Sequence, residues 1–305
     1  MATLMHDESL VQPADTSVGL IAGWGRFPVL VAESLADRGH SVHCIAINGH
    51  ADKAIEKACK TVCWSGVGRM GAHVRYFRRH GCAHVTMAGK LFKSDLLYQA
   101  SIWRHLPDWT CLKTFAPLLV GRNRDARDDS LLAAVTQLYD QSGMPVCAAT
   151  DYAPELLVSE GHLAGPSPKR NVQRDVDLGW QVAKQMGELD IGQSITIKDG
   201  TVIAVEAIEG TDACIQRSGE LCSRGGWTLV KVAKPDQDMR FDVPTIGPKT
   251  IQNVHDHGGK AIVIEADMTI VVDQAATYEL AKRLGVSLFA IRPSGLISNL
   301  RKRAA

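Results

Sequence analysis

The stretch Ala204–Ala213 leaves an apolar run and enters a turn that carries Glu209, Thr211 and Asp212 around Gly210. Two acids and a hydroxyl at one glycine turn have the donor types that Mg2+ takes, since it binds one or two carboxylates together with substrate phosphates. The same carboxylates can orient or deprotonate an attacking water. A plainer reading also fits: Thr211 or Asp212 caps the N-terminus of a helix that begins there.

A second cluster follows in Lys231–Pro244. Lys231, Lys234 and Arg240 are interleaved with Asp236, Asp238 and Asp242. One reading is a solvated loop of surface ion pairs, which contribute little. The other is a diphosphate site, where cations neutralise phosphates and acids hold metal. Gly247-Pro248-Lys249-Thr250 then offers a hydroxyl and backbone donors at a helix start.

The third feature is Gly23-Trp24-Gly25 after a first apolar run. A Gly-x-Gly turn lets backbone N–H groups approach a phosphate at a helix N-terminus. The dinucleotide version needs a third glycine where Pro28 stands, and an acid where Asn48 ends the second run. An NAD site is therefore disfavoured, leaving a nucleotide phosphate contact or a structural turn. Arg127-Asp128-Asp129-Ser130 has the form of a helix start with acids in its first turn. HExxH, GxSxG and Walker A patterns are absent. His255-Asp256-His257 is a helix end before it is a metal site.

Elements must position these groups. Apolar runs at Val18–Ala22, Val42–Ile47, Thr61–Trp64 and Ala83–Ala88 alternate with helical patterns at Val29–Arg38, Lys53–Cys59 and Met70–His80. That alternation predicts a parallel sheet covered on both faces. The second half predicts a helix over Val172–Gly187 and strands over Ser194–Lys198 and Thr201–Ala207. These two are joined by Asp199-Gly200 in a type I′ hairpin. Further strands are expected at Thr228–Ala233, Ala261–Ile264, Thr269–Val272 and Ser287–Ile291, with helices at Gly247–His257 and Gln274–Leu284. The Gly- and Pro-rich run 161–168 reads as a linker between domains 1–160 and 169–305. An apolar stripe from Phe92 to Phe115, with Leu106, Trp109 and Leu112, is core or a lipid-facing surface.

Composition bounds the class. The chain has 305 residues, 45% hydrophobic and 22% charged, with a formal charge of +1. This is two domains' worth of ordinary globular protein without the basic excess of a nucleic-acid binder. The eight cysteines form no CxxC pair, so a zinc ribbon or redox dithiol is not expected. No signal peptide or 20-residue apolar span is evident, so a cytoplasmic protein is expected.

The stretches Gly19–Pro28, Met87–Leu91, Asp128–Leu132, Asp190–Ser194, Val205–Ala213, Lys231–Thr250 and Val271–Asp273 together resemble the LpxI-type UDP-2,3-diacylglucosamine pyrophosphatases. Glu-x-x-Glu-Gly-Thr-Asp followed by Lys-x-x-Lys-Pro is the most specific part. Trp24 and Cys214 depart from the family's usual small residue and Met. The resemblance implies a Rossmann-like N-terminal domain and a separate C-terminal α/β catalytic domain with a mixed sheet. It implies Mg2+-dependent hydrolysis, with Mn2+ as an alternative metal, to UMP and 2,3-diacylglucosamine 1-phosphate. Water is expected to attack the β-phosphorus.

The family's essential aspartate maps onto Asp212. The expected catalytic set is Asp212, Glu209 and Thr211, and the expected metal ligands are Asp212, Asp238 and Asp242. Substrate contacts are expected from Gly23, Trp24, Gly25, Lys90, Asp128, Asp129, Lys231, Lys234, Arg240 and Thr250. The partner is a small lipid substrate, with transient inner-membrane contact and homo-oligomerisation compatible with it. Two alternatives stand beside this reading: a non-catalytic sugar-nucleotide or lipid binder, and an NAD(P) oxidoreductase.

Overall fold

The structure is a computed structural model that describes residues 16–91, 105–119, 128–167, 170–235, 237–240 and 243–293. The chain divides into two compact units between Ala153 and Pro154.

The first unit runs β1 (Ser17–Ala22), α1 (Phe27–Asp37), β2 (Ser41–Ile47), α2 (Ile55–Ala58), β3 (Thr61–Ser65), α3 (Met70–Arg79) and β4 (His84–Ala88). Then come α4 (Trp109–Leu119), α5 (Asp128–Gln141), β5 (Val146–Cys147) and α6 (Ala149–Tyr152). Its five strands pair in the order β3-β2-β1-β4-β5, and every pairing is parallel. Parallel strands covered on both faces must be apolar throughout, and six of the seven residues of β2 are buried. The strand order reverses between β1 and β4, so a crevice opens outside their carboxyl ends. The Gly23-Trp24-Gly25 turn leaves β1 at that point. Asp108 ties two helices together, its Oδ2 accepting the N–H groups of Gly71 and Ala72 and its Oδ1 that of Cys111.

The second unit opens with a 3-10 turn at Pro154–Leu156. It continues through β6 (Gly161–Ala164), α7 (Arg170–Glu188), β7 (Ser194–Lys198), β8 (Thr201–Val205), α8 (Thr211–Leu221) and β9 (Thr228–Lys231). The rest is β10 (Thr245–Ile246), α9 (Pro248–Asp256), β11 (Ala261–Glu265), β12 (Ile270–Val271), α10 (Gln274–Leu284) and β13 (Ser287–Ile291). Six strands form a mixed sheet, β6-β13-β11-β9-β7-β8. β9, β11 and β13 are parallel, while β6, β7 and β8 run antiparallel to their neighbours. β10 and β12 form a separate parallel pair.

Side-chain alternation divides the core. Val230, Val232 and Val263 pack with Val176, Trp180 and Ala183 of α7. Leu229, Ile262 and Ile264 pack on the other face with Ile215, Ile251 and Val254. The Asp199-Gly200 hairpin has both residues at positive φ, as a type I′ turn requires. The buried carboxylate of Asp175 accepts both turn N–H groups.

One expectation is corrected. Gly161–Ala164 is not part of a linker but a strand, paired antiparallel with β13. Its backbone completes one edge of the second sheet, and the chain divides several residues earlier. Glycine here marks a close approach, not a flexible segment: a Cβ on Gly165 would lie 2.0 Å from the Val286 carbonyl oxygen.

Of the apolar stripe, Phe92 to Trp103 lies outside the described residues, whereas Leu106, Trp109 and Leu112 are exposed, Trp109 by 73%. No described helix is long and apolar enough to cross a membrane. All eight cysteines are free.

Candidate active site

The carboxyl ends of β9 and β11 and the start of β7 lie at one end of the second sheet, because β7 pairs Ser194 with Lys231. Lys231 is only 1% exposed. A buried ammonium is costly unless its donors are satisfied and its charge is balanced. Its Nζ donates to Ser194 Oγ at 3.3 Å and to Thr211 Oγ1 at 3.0 Å. Thr211 Oγ1 in turn donates to Glu206 Oε1 at 2.8 Å. Glu206, the residue after β8, donates its backbone N–H to the Ser194 carbonyl. One buried chain of polar groups thus joins β7, β8, β9 and the start of α8.

Gly210, at φ 82°, turns the chain into α8 and is its N-cap, with no side-chain capping hydrogen bond. Neither Thr211 nor Asp212 is therefore the cap. Asp212 sits in the first turn with its carboxylate half-exposed. Its Oδ2 accepts from Lys249 Nζ at 2.7 Å and its Oδ1 from Asn253 Nδ2 at 3.0 Å. Lys249 and Asn253 are four apart on α9, so both reach the same carboxylate. Thr250 instead closes the start of α9, where its Oγ1 accepts the Gly247 N–H. Glu209 is ion-paired with Arg217 at 2.8 Å, whereas the cationic partner of Asp212 is Lys249.

The cationic loop is pinned from below. Lys234 is ion-paired with Asp190, a residue in the left-handed region. The Gln193 carbonyl accepts the Val232 N–H at 3.0 Å. Asp190–Ser194 therefore supplies a partner to Lys234, to the loop backbone and to Lys231. Asp238 and Arg240 pair with each other at 2.6 Å. Partial burial pushes the Asp238 carboxyl up, but the Arg240 hydrogen bonds and charge outweigh it and hold it below its ordinary value. Asp242 lies outside the described residues. Among the described residues, no three His, Cys, Asp or Glu side chains converge on a metal position.

Cys214 follows closely on Asp212 and is fully buried. Burial, with the charge of Glu206, pushes its thiol up to about 11. It stays protonated at neutral pH and is no thiolate nucleophile.

In the first unit, Trp24 and Lys90 are joined by two backbone hydrogen bonds, Trp24 N to Lys90 O at 2.8 Å and Lys90 N to Trp24 O at 3.1 Å. Trp24 also bridges to Ala51 and is 44% exposed. Gly89 permits this closeness: a Cβ there would lie 2.7 Å from the Trp24 carbonyl oxygen, and its φ is +88°. α1 begins just after the turn with no side-chain capping bond. Asp128 and Asp129 open α5, but their side chains lie outside the described residues.

A curated relative from Caulobacter vibrioides is 32% identical over 283 residues, covering 90% of this chain and 98% of its own. Family models for the LpxI N-terminal and C-terminal domains match residues 17–156 and 159–289. The chain belongs to the LpxI family. The Caulobacter protein is described as UDP-2,3-diacylglucosamine pyrophosphatase LpxI. All the charged groups from Asp190 to Asn253 lie within the LpxI C-terminal domain, and the glycine turn lies in the N-terminal one. Two solved structures resemble this chain only distantly. A CobK precorrin-6A reductase covers 95% of it and 98% of its own length at TM-score 0.30 and 14% identity. An ADP complex of N5-carboxyaminoimidazole ribonucleotide synthetase covers 70% of it and 46% of its own length at TM-score 0.27 and 9% identity. At these scores neither carries an argument about function.

The sequence pattern points to Asp212, Lys231 and Lys234 but not to Ser194, Glu206, Lys249 and Asn253 as site residues. Strand register and helix docking bring those four in, and the stretches that hold Glu206, Ser194 and Lys249 do not by themselves say so.

Proposed function

We propose that this chain hydrolyses the diphosphate of UDP-2,3-diacylglucosamine, releasing UMP and 2,3-diacylglucosamine 1-phosphate for lipid A synthesis. The observation that carries the reading is the pairing of settings at the α8 N-terminus. Thr211 is tied to the buried Lys231 ammonium, and its neighbour Asp212 presents a half-exposed carboxylate. A site for splitting a phosphoanhydride needs this combination of positive potential and an acid that can hold a water in line.

The residues divide the work. Asp212 accepts a hydrogen bond from the attacking water and orients it toward the β-phosphorus, with Asn253 fixing the carboxylate. The new bond joins water oxygen to that phosphorus as the bond to the bridging oxygen breaks; UMP departs with the bridging oxygen, and the proton the water loses passes to solvent. Lys231 lends its charge from beneath α8, since its burial precludes a direct clamp. The first-turn N–H groups of α8 add the positive end of the helix dipole. Lys234, paired with Asp190, and Arg240, paired with Asp238, are the phosphate contacts of the loop. In the first unit the Gly23 and Trp24 N–H groups already donate to the Ala88 and Lys90 carbonyls, so these two are not phosphate donors. Glu209, held by Arg217, shapes the turn.

The donors at Asp212 fit Mg2+, with Mn2+ as the alternative. A single hard carboxylate plus substrate phosphates is a common Mg2+ environment. The Lys249 pair it would exchange for the metal is exposed, a class of ion pair that contributes only about 0–1 kcal/mol. Such an ion, when bound, neutralises charge on the diphosphate.

A lipid substrate must be collected from a membrane. The exposed Leu106, Trp109 and Leu112 have the spacing and chemistry to rest on the cytoplasmic surface of the inner membrane.

Hydrolysis in 18O-water tests the direction of attack. The label is expected in 2,3-diacylglucosamine 1-phosphate, read by mass spectrometry. Label in UMP would reject this assignment of attacking and leaving groups.

A further inference from the structure

Ala233 lies between Lys231 and Lys234 and carries no functional side chain. Both of its backbone polar groups are nevertheless held by one ion pair, between a buried Glu265 and a partly buried Lys184. Its N–H donates to Glu265 Oε2 at 2.8 Å, and its carbonyl accepts from Lys184 Nζ at 2.8 Å. Lys184 Nζ also lies 2.9 and 2.8 Å from the two Glu265 oxygens, which closes a ring. Glu265 is 4% exposed, and Lys184 sits over the Trp180 ring, 5.6 Å from its centroid.

The surroundings fit a brace for the loop. Glu265 ends β11 one residue past the partner of Lys231, so its side chain emerges beside the strand exit. α7 supplies Lys184 and, one turn later, Gly187. A Cβ on Gly187 would lie 3.1 Å from Pro235 Cδ and 3.2 Å from Lys234 Cα. Such ion pairs add little net stability, and in some proteins their role is to specify geometry. Here two of the four hydrogen bonds fall on one residue between two cations, and the other two join the pair itself.

We propose that Glu265 and Lys184 are positioning residues for the diphosphate site. They fix Ala233, and through it the direction of Lys234, without touching substrate. This rests on the hydrolase reading for its kinetic consequence, but not for the loop order itself.

A kinetic double-mutant cycle tests it in the full chain, with UDP-2,3-diacylglucosamine as substrate. Glu265→Gln is expected to lower kcat/KM about 10-fold and Lys234→Met about 100-fold, as for losses of charge-assisted contacts. The double variant is expected to stay within about 3-fold of Lys234→Met, because the first change acts through the second residue. Multiplying losses would overturn the proposal. Glu265→Asp, which keeps the charge, is expected to recover part of the activity. If Glu265→Gln does not fold, the charge-neutral pair Lys184→Met with Glu265→Gln takes its place in the cycle.

Amide hydrogen exchange provides a second readout that needs no turnover. Exchange at Ala233 is expected to speed about 10-fold in Glu265→Gln while β11 and β13 amides stay protected. Unchanged exchange at Ala233 would overturn the brace even in an active enzyme. A wild-type chain that hydrolyses nothing would reject the hydrolase reading and leave the exchange result to decide the brace.

Discussion

Thr211 and Asp212 show how much two adjacent residues can differ in what they do. Thr211 donates a hydrogen bond to Glu206 and accepts one from Lys231 inside the unit. Asp212 meets solvent and two donors from α9. Replacing Thr211 by Val keeps the shape and removes the hydroxyl, leaving a buried ammonium and a buried carboxylate each short of a partner. Stability is expected to fall by about 1–3 kcal/mol, read as a lower urea midpoint, with turnover reduced as well. An unchanged midpoint would mean that the polar chain contributes nothing to the fold. Asp212 is legible from its neighbours in sequence. Glu206 and Ser194 are not, because they end one strand and begin another, and only antiparallel register makes them adjacent.

Elements deliver these residues through close backbone approach. Gly192 lets the start of β7 lie against the end of β8: a Cβ there would sit 2.1 Å from the Glu206 carbonyl oxygen. Gly192→Ala is expected to cost about 1–3 kcal/mol, as overpacking does, and to disturb Glu206 and Ser194 together. Melting and turnover should fall in parallel, and a variant stable and active like the wild type would contradict the packing described. Most strands and helices are readable because apolar runs alternate with helical periodicity. The Asp199-Gly200 hairpin is readable because its residues tolerate positive φ. The edge strand β6 is not, because two glycines and two prolines near it resemble a linker, while its pairing with β13 is set by residues more than a hundred positions away. Lys184 and Glu265 leave no sequence signal for a similar reason: a helix and a strand end meet only in the folded unit.

At the scale of the molecule, a formal charge of +1 conceals opposing clusters, and between pH 6.5 and about 4 the buried histidines of the first unit add acid sensitivity. His73 is buried against Ser65, and burial lowers its pKa from 6.5 to about 4. His43 and His84 are lowered in the same direction, chiefly by burial. Above pH 6.5 the His73 ring is neutral in both native and unfolded chains, so it contributes no pH dependence. Below 6.5 the unfolded chain takes up a proton that the native unit resists. Stability therefore falls as pH drops from 6.5 toward about 4, where protonation of the native ring ends the effect. For His73 the loss is about 3 kcal/mol at most. Hydrogen exchange of first-unit amides between pH 7 and 4, corrected for intrinsic rates, should show this loss, and His73→Gln should flatten it. A slope unaffected by that substitution would assign the acid sensitivity elsewhere.

On the proposal made above, the second unit hydrolyses a diphosphate through Asp212. UMP release from UDP-2,3-diacylglucosamine tests it most directly, comparing the wild-type chain with Asp212→Asn, each with Mg2+ and with chelator. The wild type is expected to release UMP with Mg2+ and lose that activity with chelator. Asp212→Asn should remain folded and fall by about 1000-fold or more, the scale seen for removal of a group acting in the transition state. Equal UMP release by Asp212→Asn would reject Asp212 as the working group, and none by the wild-type chain under any of these conditions would reject the hydrolase.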